Sequence, residues 1–529
     1  MGTLRELQEL RAEAFSFAQA EARDRHLRAT GRPPQESLRA RVKAHPRLCS
    51  RDGVQEVQDA LSRALERAKS DDGASGQGRV ARLSGLRELV VRARAQALEP
   101  QAAQELLDFD LHPSVRPPGD RGLHGALPPL LVRTELPLER SRTRRFELES
   151  ALADASSRLD DARTATFDAG ATALGELNLG DPLAAALALH ARGFSPPPKD
   201  VTLLTHVERT AQHVLDATDP IARDLGAFFL ERITQARPHP GDASLHDLLH
   251  LIHAPPCASA FIRGELLRTV RRFAEGLRLD LSGGSHVKLD ELDPQERPHA
   301  WPLASAHGVD VPYQARVALL PQEGPRALAA LLAAVAESQR MTGPSSEAPP
   351  EDSWTCDPAV AFANGDVFAA LARTPGFLTR LAKTELHRDD ERTLALADLF
   401  ATRTAAARTL ASIEAFRLGL SARTASVHQD LFARAALCTL PSGLALEGLD
   451  PWLTSFAELR GRMLAARIRA FFVERFDEDW FRNPRVLASL GSLWVRGGRP
   501  QVNELWSEVA PGEVPSAEAL VRDLTHACA

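Results

Sequence analysis

Apolar residues recur at three- and four-residue spacing along most of the chain. Leu4-Leu7-Leu10, Leu61-Leu65 and Leu83-Leu86-Leu89 each mark one buried stripe of a helix. Residues 144–175 predict one long helix with Phe146, Leu148, Leu152, Ala155 and Leu159 on a shared side. The same periodicity predicts helices over 201–236, 244–254, 258–277, 325–341, 360–373, 376–387, 389–420, 424–437, 452–476 and 484–496. High Ala and Leu content favours that state intrinsically. Strand-like patterning is sparse: Leu130–Leu138, Asp310–Leu320 with partial alternation, and His286–Leu292. Ser70–Gly78, Pro113–Gly125, Ser195–Lys199 and Thr342–Asp352 are rich in Gly, Pro and small polar residues and predict loops. The expected class is mainly α with a small β element, and no solenoid-type repeat interrupts it.

Composition adds limits. The 529 residues are 44% hydrophobic and 25% charged, enough for a large core. The net charge is only −6, so neither nucleic acid nor an anionic membrane is an expected partner. No 18-residue apolar run predicts a membrane span. Met1–Asp24 is charged and amphipathic, without the apolar core of a signal peptide. The five cysteines are scattered and form no C-x-x-C pair, which predicts reduced thiols and a cytoplasmic protein. The Ala, Leu and Arg bias is that of a GC-rich bacterial genome.

The order of landmarks in residues 130–529 carries a resemblance. The strand-like segment ends in Val317-Ala318-Leu319-Leu320-Pro321-Gln322-Glu323-Gly324 and runs straight into the 325–341 helix. A second helix opens at Asp357-Pro358-Ala359-Val360, and a late block reads Asp477-Glu478-Asp479-Trp480-Phe481-Arg482-Asn483-Pro484. This order resembles the thimet oligopeptidase and oligoendopeptidase F group of zincin metallopeptidases. The resemblance implies a zincin-like oligopeptidase fold: two helical halves around a deep cleft with a small β-sheet. It divides the chain into an N-terminal helical region, 1–129, and an oligopeptidase-like body, 130–529.

In that group the helix after the Pro-Gln turn carries H-E-x-G-H. Two His at i and i+4 reach one zinc from one helix face, and the intervening Glu activates the zinc-bound water. A Glu from the next helix completes the site. Carried onto this sequence, the motif falls on Ala333, Ala334, Val335, Ala336 and Glu337, and the downstream Glu on Phe362. One carboxylate, Glu337, does not make a zinc site. The group also uses late-helix tyrosines at the oxyanion, whereas this chain has one Tyr, Tyr313, and offers Thr454, Phe456 and Glu458 on the corresponding helix. The expectation is a chain with no catalytic residues at the family positions, no metal and no cofactor.

Other candidates have competing readings. His246-Asp247-Leu248-Leu249-His250 places two His on one helix face, a weak alternative metal site with Asp247 as base. Asp is a methylene shorter than Glu, no third ligand is indicated, and a packed helix face is the better reading. His299, His307 and Trp301 lie in the segment entering the strand, and with Tyr313 and Glu458 they are candidate peptide contacts. Trp480, Trp494 and Trp506 read as packing anchors, and Arg140–Arg145 reads as a solvated face. The expected function is that of a pseudopeptidase binding a peptide or protein ligand in the former cleft. The alternatives are a regulatory partner of an active paralogue and a hydrolase whose metal has moved to His246 and His250.

Overall fold

The computed structural model describes all residues except 1–6, 71–73, 118–125, 191–201, 236, 238–241, 282–285, 294, 298–299, 302, 321 and 529. Helices dominate, and one three-stranded sheet lies among them. Eight helices and the sheet frame the site: α1 (Gln8–Ala29), α2 (Arg142–Ser157), α3 (Leu245–His253), α4 (Pro325–Thr342), α5 (Pro358–Ala369), α6 (Arg388–Leu418), α7 (Ala422–Ala436) and α8 (Thr454–Phe476).

The sheet has the order β1 (Val287–Glu291), β3 (Gln314–Leu319), β2 (Ser305–Asp310). β1 runs parallel to β3, with Leu289 opposite Val317, and β2 runs antiparallel to β3, with Ala306 opposite Val317. Segment 310–320 is therefore a hairpin turn plus a strand rather than one strand. Its turn, Val311–Tyr313, includes a cis Val311–Pro312 bond. β3 is central, which is why Ala315, Val317, Ala318 and Leu319 are all buried instead of alternating. α1 covers β2 from one side, and its Gln19 amide donates to Asp310 Oδ1 at 3.1 Å.

β3 delivers the chain to α4. Gly324 sits at φ +100°, a conformation that L side chains rarely adopt, and Pro325 then opens the helix where its missing N–H costs nothing. Leu328, Leu331, Leu332 and Val335 form the buried stripe. α5 starts equally sharply: the Asp357 carboxylate accepts from the Ala359 N–H at 2.9 Å, and Pro358 follows the cap. α4, α5 and α8 pack side by side through glycines. A Cβ on Gly365 of α5 would lie 3.4 Å from Ala333 Cβ of α4, and one on Gly461 of α8 would lie 2.7 Å from Phe362 Cβ.

Four expectations need correction. Leu130–Leu138 is not a strand: Pro129–Glu135 is helical, because Pro129 presets the first turn and a short apolar run fits either period. The long helix over 144–175 is two helices, 142–157 and 160–175. Arg163 donates to the Ser156 carbonyl at 2.7 Å and so satisfies the end of the first helix at the break. Within 70–78, helix is already present from Ala74; 71–73 lie outside the described residues. Arg140–Arg145 is not merely a solvated face, since Arg145 is buried and lies 3.1 Å from Asp247. Of the helix predicted over 201–236, residues 203–234 form, with a π-turn at Ala222–Gly226 just after Pro220, whose ring cannot continue a regular α-helical ladder; 201 and 236 lie outside the described residues.

The main apolar core gathers α3–α7 and the C-terminal helices, with Trp480, Trp494 and Trp506 buried in it as anchors. The Trp494 indole N–H donates to Asn364 Oδ1 of α5 at 2.8 Å. A second core joins the N-terminal helices to Leu174, Leu187, Val207, Ile413 and Phe456. All five cysteines are free thiols. Among the described residues, no helix is long and apolar enough to cross a membrane.

Candidate functional site

α4 follows the sheet directly, as the sequence order predicts, and its outer face looks toward α5. Ala333 faces Gly365 there, with small residues on both helices allowing close approach. Ala334 is buried. Glu337 points along its own helix and accepts from Arg340 Nε at 2.8 Å. Arg340 is buried; its pKa is nonetheless raised, because the Cys356 and Glu337 side chains beside it outweigh the burial. Burial pushes the neighbouring Cys356 thiol up to about 12, against the pull of Arg340. Phe362 packs on the Gly461 backbone of α8, and the Arg462 guanidinium carbon sits 5.4 Å from its ring centroid. Where the resemblance places two His and two Glu, the structure thus has small-residue helix packing, a stacked aromatic and an intrahelical ion pair. Among the described residues, no group of three His, Cys, Asp or Glu side chains is arranged to hold a metal ion.

Beside this packed seam lies a cavity of about 640 Å³. Its wall includes Ala329 of α4, one turn before Ala333, and Asp366 and Ala369 of α5, one turn after Phe362 and Gly365. α3 supplies Leu248 and Ile252, and α6 to α8 close the far side. Its polar lining is an arginine–carboxylate network. Asp398 lies 2.8 Å from Arg462 and 2.8 Å from Arg373. Arg462 also reaches Glu458 at 3.0 Å, and Asp366 pairs with Arg469 at 3.0 Å. Burial opposes ionisation of Asp398, but Arg373, Arg462 and Arg469 hold its carboxyl below the usual carboxylate range. Each of these carboxylates is ion-paired with an arginine.

The other sequence candidates lie in different surroundings. Glu458 lines the cavity. Trp301 and Tyr313 are exposed and are not part of its wall; Tyr313 occupies the hairpin turn, where its carbonyl lies 2.9 Å from His286 Nδ1. His299 lies outside the described residues. His307 sits on β2 against His26, ring centroids 5.6 Å apart, and burial drives its pKa down to about 3. Phe456 is buried, and Thr454 donates to Asp450.

His246 and His250 are held by structural partners. His246 Nδ1 is 2.9 Å from Glu149, and its Nε2 is 3.3 Å from Asp247. His250 Nδ1 faces the Pro137 carbonyl at 2.7 Å. Arg142 and Arg145 close the cluster on Asp247. Burial disfavours the His246 imidazolium, yet Asp247 and Glu149 raise its pKa. Burial likewise opposes the Asp247 carboxylate, yet His246 and the two arginines hold it down at about 2.

Sequence reasoning missed Arg326, Asp398, His428 and Arg462 as cavity residues. Nothing at any one of these positions signals the cavity, because its wall is assembled from helices that are far apart in the chain, from α3 at Leu248 to α8 at Arg462.

The geometry has counterparts among solved structures. The chain superimposes on an M32 carboxypeptidase from Deinococcus radiodurans R1 with a TM-score of 0.53 at 14% identity, covering 99% of this chain and 98% of that one. A carboxypeptidase from Pyrococcus furiosus gives 0.53 at 12% identity, covering 100% and 99%. A Bacillus anthracis str. Ames protein described as an oligoendopeptidase F gives 0.58 at 12%, covering 90% and 82%. No protein-family model and no curated protein sequence matches the chain. At these identities the likeness establishes the fold alone: the mainly helical metallopeptidase fold shared by M32 carboxypeptidases and oligoendopeptidase F, with its small three-stranded sheet.

Proposed function

We propose that the chain is a pseudopeptidase: a metallopeptidase-fold protein without zinc-dependent hydrolysis that binds a peptide or protein segment in the cavity beside α4. The observation that carries this reading is the contact of Ala333 with the Gly365 position, where the carried-over motif would need an imidazole. With Phe362 on Gly461, the helices that would hold a metal instead hold each other. The cavity next to them supports binding, because a concave site that combines apolar walls with fixed polar groups is the usual form of a ligand site.

The test is purification of the full chain without added metal, followed by zinc analysis and incubation with a fluorogenic peptide library. The expected outcome is no stoichiometric zinc and no chelator-sensitive cleavage, together with saturable binding of library peptides. One zinc per chain with chelator-sensitive hydrolysis would overturn the proposal, as would a failure of every peptide to bind.

A further inference from the structure

A second hollow, of about 230 Å³, lies on another side of α5. Asp366 and Ala369 of α5 face the cavity beside α4, whereas Asn364 and Val367, about half a turn round the helix, face this one. On α8 the first cavity uses Glu458 and Arg462, and the second uses Ile468, Phe471, Phe472 and Arg475, more than a turn later. Two further helices, α9 (Val486–Arg496) and α10 (Val502–Val509), close it. Most of the wall is apolar: Val367, Ile468, Phe472, Leu490, Leu493 and Leu505 are each at most 9% exposed. Such a wall offers water few hydrogen bonds, so an apolar group gains by displacing it.

Most polar side chains of the lining are engaged. Glu508 pairs with Arg496 at 2.7 Å, Asn364 Oδ1 accepts from the Trp494 indole, and the Ser492 hydroxyl donates to the Ser489 carbonyl at 2.7 Å. Arg475 and the Ser489 hydroxyl differ. Arg475 is exposed, and among the described residues no carboxylate lies within ion-pair distance of it. Its guanidinium carbon stands 5.6 Å from the ring centroids of both Phe471 and Phe476, so two rings hold the cation in place. The Ser489 hydroxyl is half-buried and makes no hydrogen bond to a described residue. An oriented guanidinium with its N–H donors left to solvent, and a free hydroxyl on the same lining, suit one carboxylate.

We infer that this hollow binds a small apolar monocarboxylate, with its alkyl or aryl body between α5, α8, α9 and α10 and its carboxylate on Arg475 and Ser489. The site is separate from the cavity beside α4, and the inference does not rest on the binding role assigned there.

Calorimetric titration of the full chain with butanoate, octanoate, 4-phenylbutanoate and 1-octanol tests it. Octanoate is expected to bind about three- to tenfold more tightly than 1-octanol, the scale of one bidentate ion pair that is open to water on one side. It should exceed butanoate by at least about tenfold, because four more methylenes leave water. The tighter of octanoate and 4-phenylbutanoate tells an alkyl from an aryl body, and either result supports the inference. Arg475→Gln, at an exposed position, should bring octanoate down to the level of 1-octanol and leave 1-octanol unchanged. Val509→Phe, which fills the hollow, should weaken both together; if it prevents folding, Arg475→Gln locates the site alone. Equal binding of octanoate and 1-octanol, no binding by any probe, or an Arg475→Gln variant that binds octanoate as wild type overturns the inference. So does displacement by octanoate of a library peptide held beside α4, which would put the acid in that cavity. Each of these results leaves the pseudopeptidase reading to its own test.

Discussion

The side chains that most resemble catalytic groups in the sequence have structural partners in the fold. His246 and Asp247 belong to a buried cluster with Glu149, Arg142 and Arg145. Removing the His246 ring takes one partner from buried Glu149 and Asp247, while Arg142 and Arg145 remain on Asp247 and Ser244 on Glu149. His246→Ala is expected to cost about 1–3 kcal/mol, measured by urea denaturation. The pH dependence has a definite sign. The folded pKa of His246 is raised above its usual 6.5, so its contribution is fully present below that value and is lost as pH rises through the folded pKa. Asp247 is depressed to about 2, so its contribution is present above the ordinary carboxylate range and is lost as pH falls toward 2. Denaturation series across pH should show the alkaline loss in wild type and not in His246→Ala. An alkaline limb unchanged by the substitution would assign it to another group.

Between helices, the seam of α4, α5 and α8 makes opposite predictions at two glycines. Both are mid-helix, where Ala is intrinsically favoured by about 1 kcal/mol. At Gly365 the new methyl would meet Ala333 Cβ at 3.4 Å, an ordinary contact, so Gly365→Ala should stabilise by up to about 1 kcal/mol. At Gly461 it would stand 2.7 Å from Phe362 Cβ and 2.8 Å from the Ala359 carbonyl, so Gly461→Ala should destabilise by about 1–3 kcal/mol. Phe362→Ala in the same chain should relieve little of that loss, because it removes the Cδ1 contact at 2.9 Å but leaves both the Phe362 Cβ and the Ala359 carbonyl in place. Thermal melts of the three variants check both signs. The helices of this seam were legible in the sequence, from Asp357-Pro358 at one start and the Leu328–Val335 stripe of the other. The segment at Pro129 was not, because a short apolar run fits a strand or a helix until its neighbours are known. Nor was the break at Arg158, where Arg163 adds a side-chain hydrogen bond to the Ser156 carbonyl that the Leu159 N–H also reaches.

For the whole molecule, the proposal that packing replaces the metal has a thermodynamic consequence. A ligand that binds the folded state raises its melting temperature, so a resident zinc would be revealed when it is stripped. Dialysis of the full chain against EDTA is expected to leave the melting temperature unchanged. A clear drop, restored by zinc, would require a metal site that the seam of Ala333, Gly365 and Phe362 does not offer.

The sequence by itself determined the helical class, most helix positions and the passage from strand to α4. These follow from local periodicity, capping and turn chemistry, which act over a few residues. Tertiary structure decided which side chains meet. It placed Asp398 between Arg373 and Arg462, stacked Arg475 on two rings without a carboxylate, and buried His246 among acids. Those outcomes depend on partners brought together from distant parts of the chain, and no local pattern carries that information. Both hollows are made by helices meeting, so they and the uncompensated charge of Arg475 exist only in the folded chain.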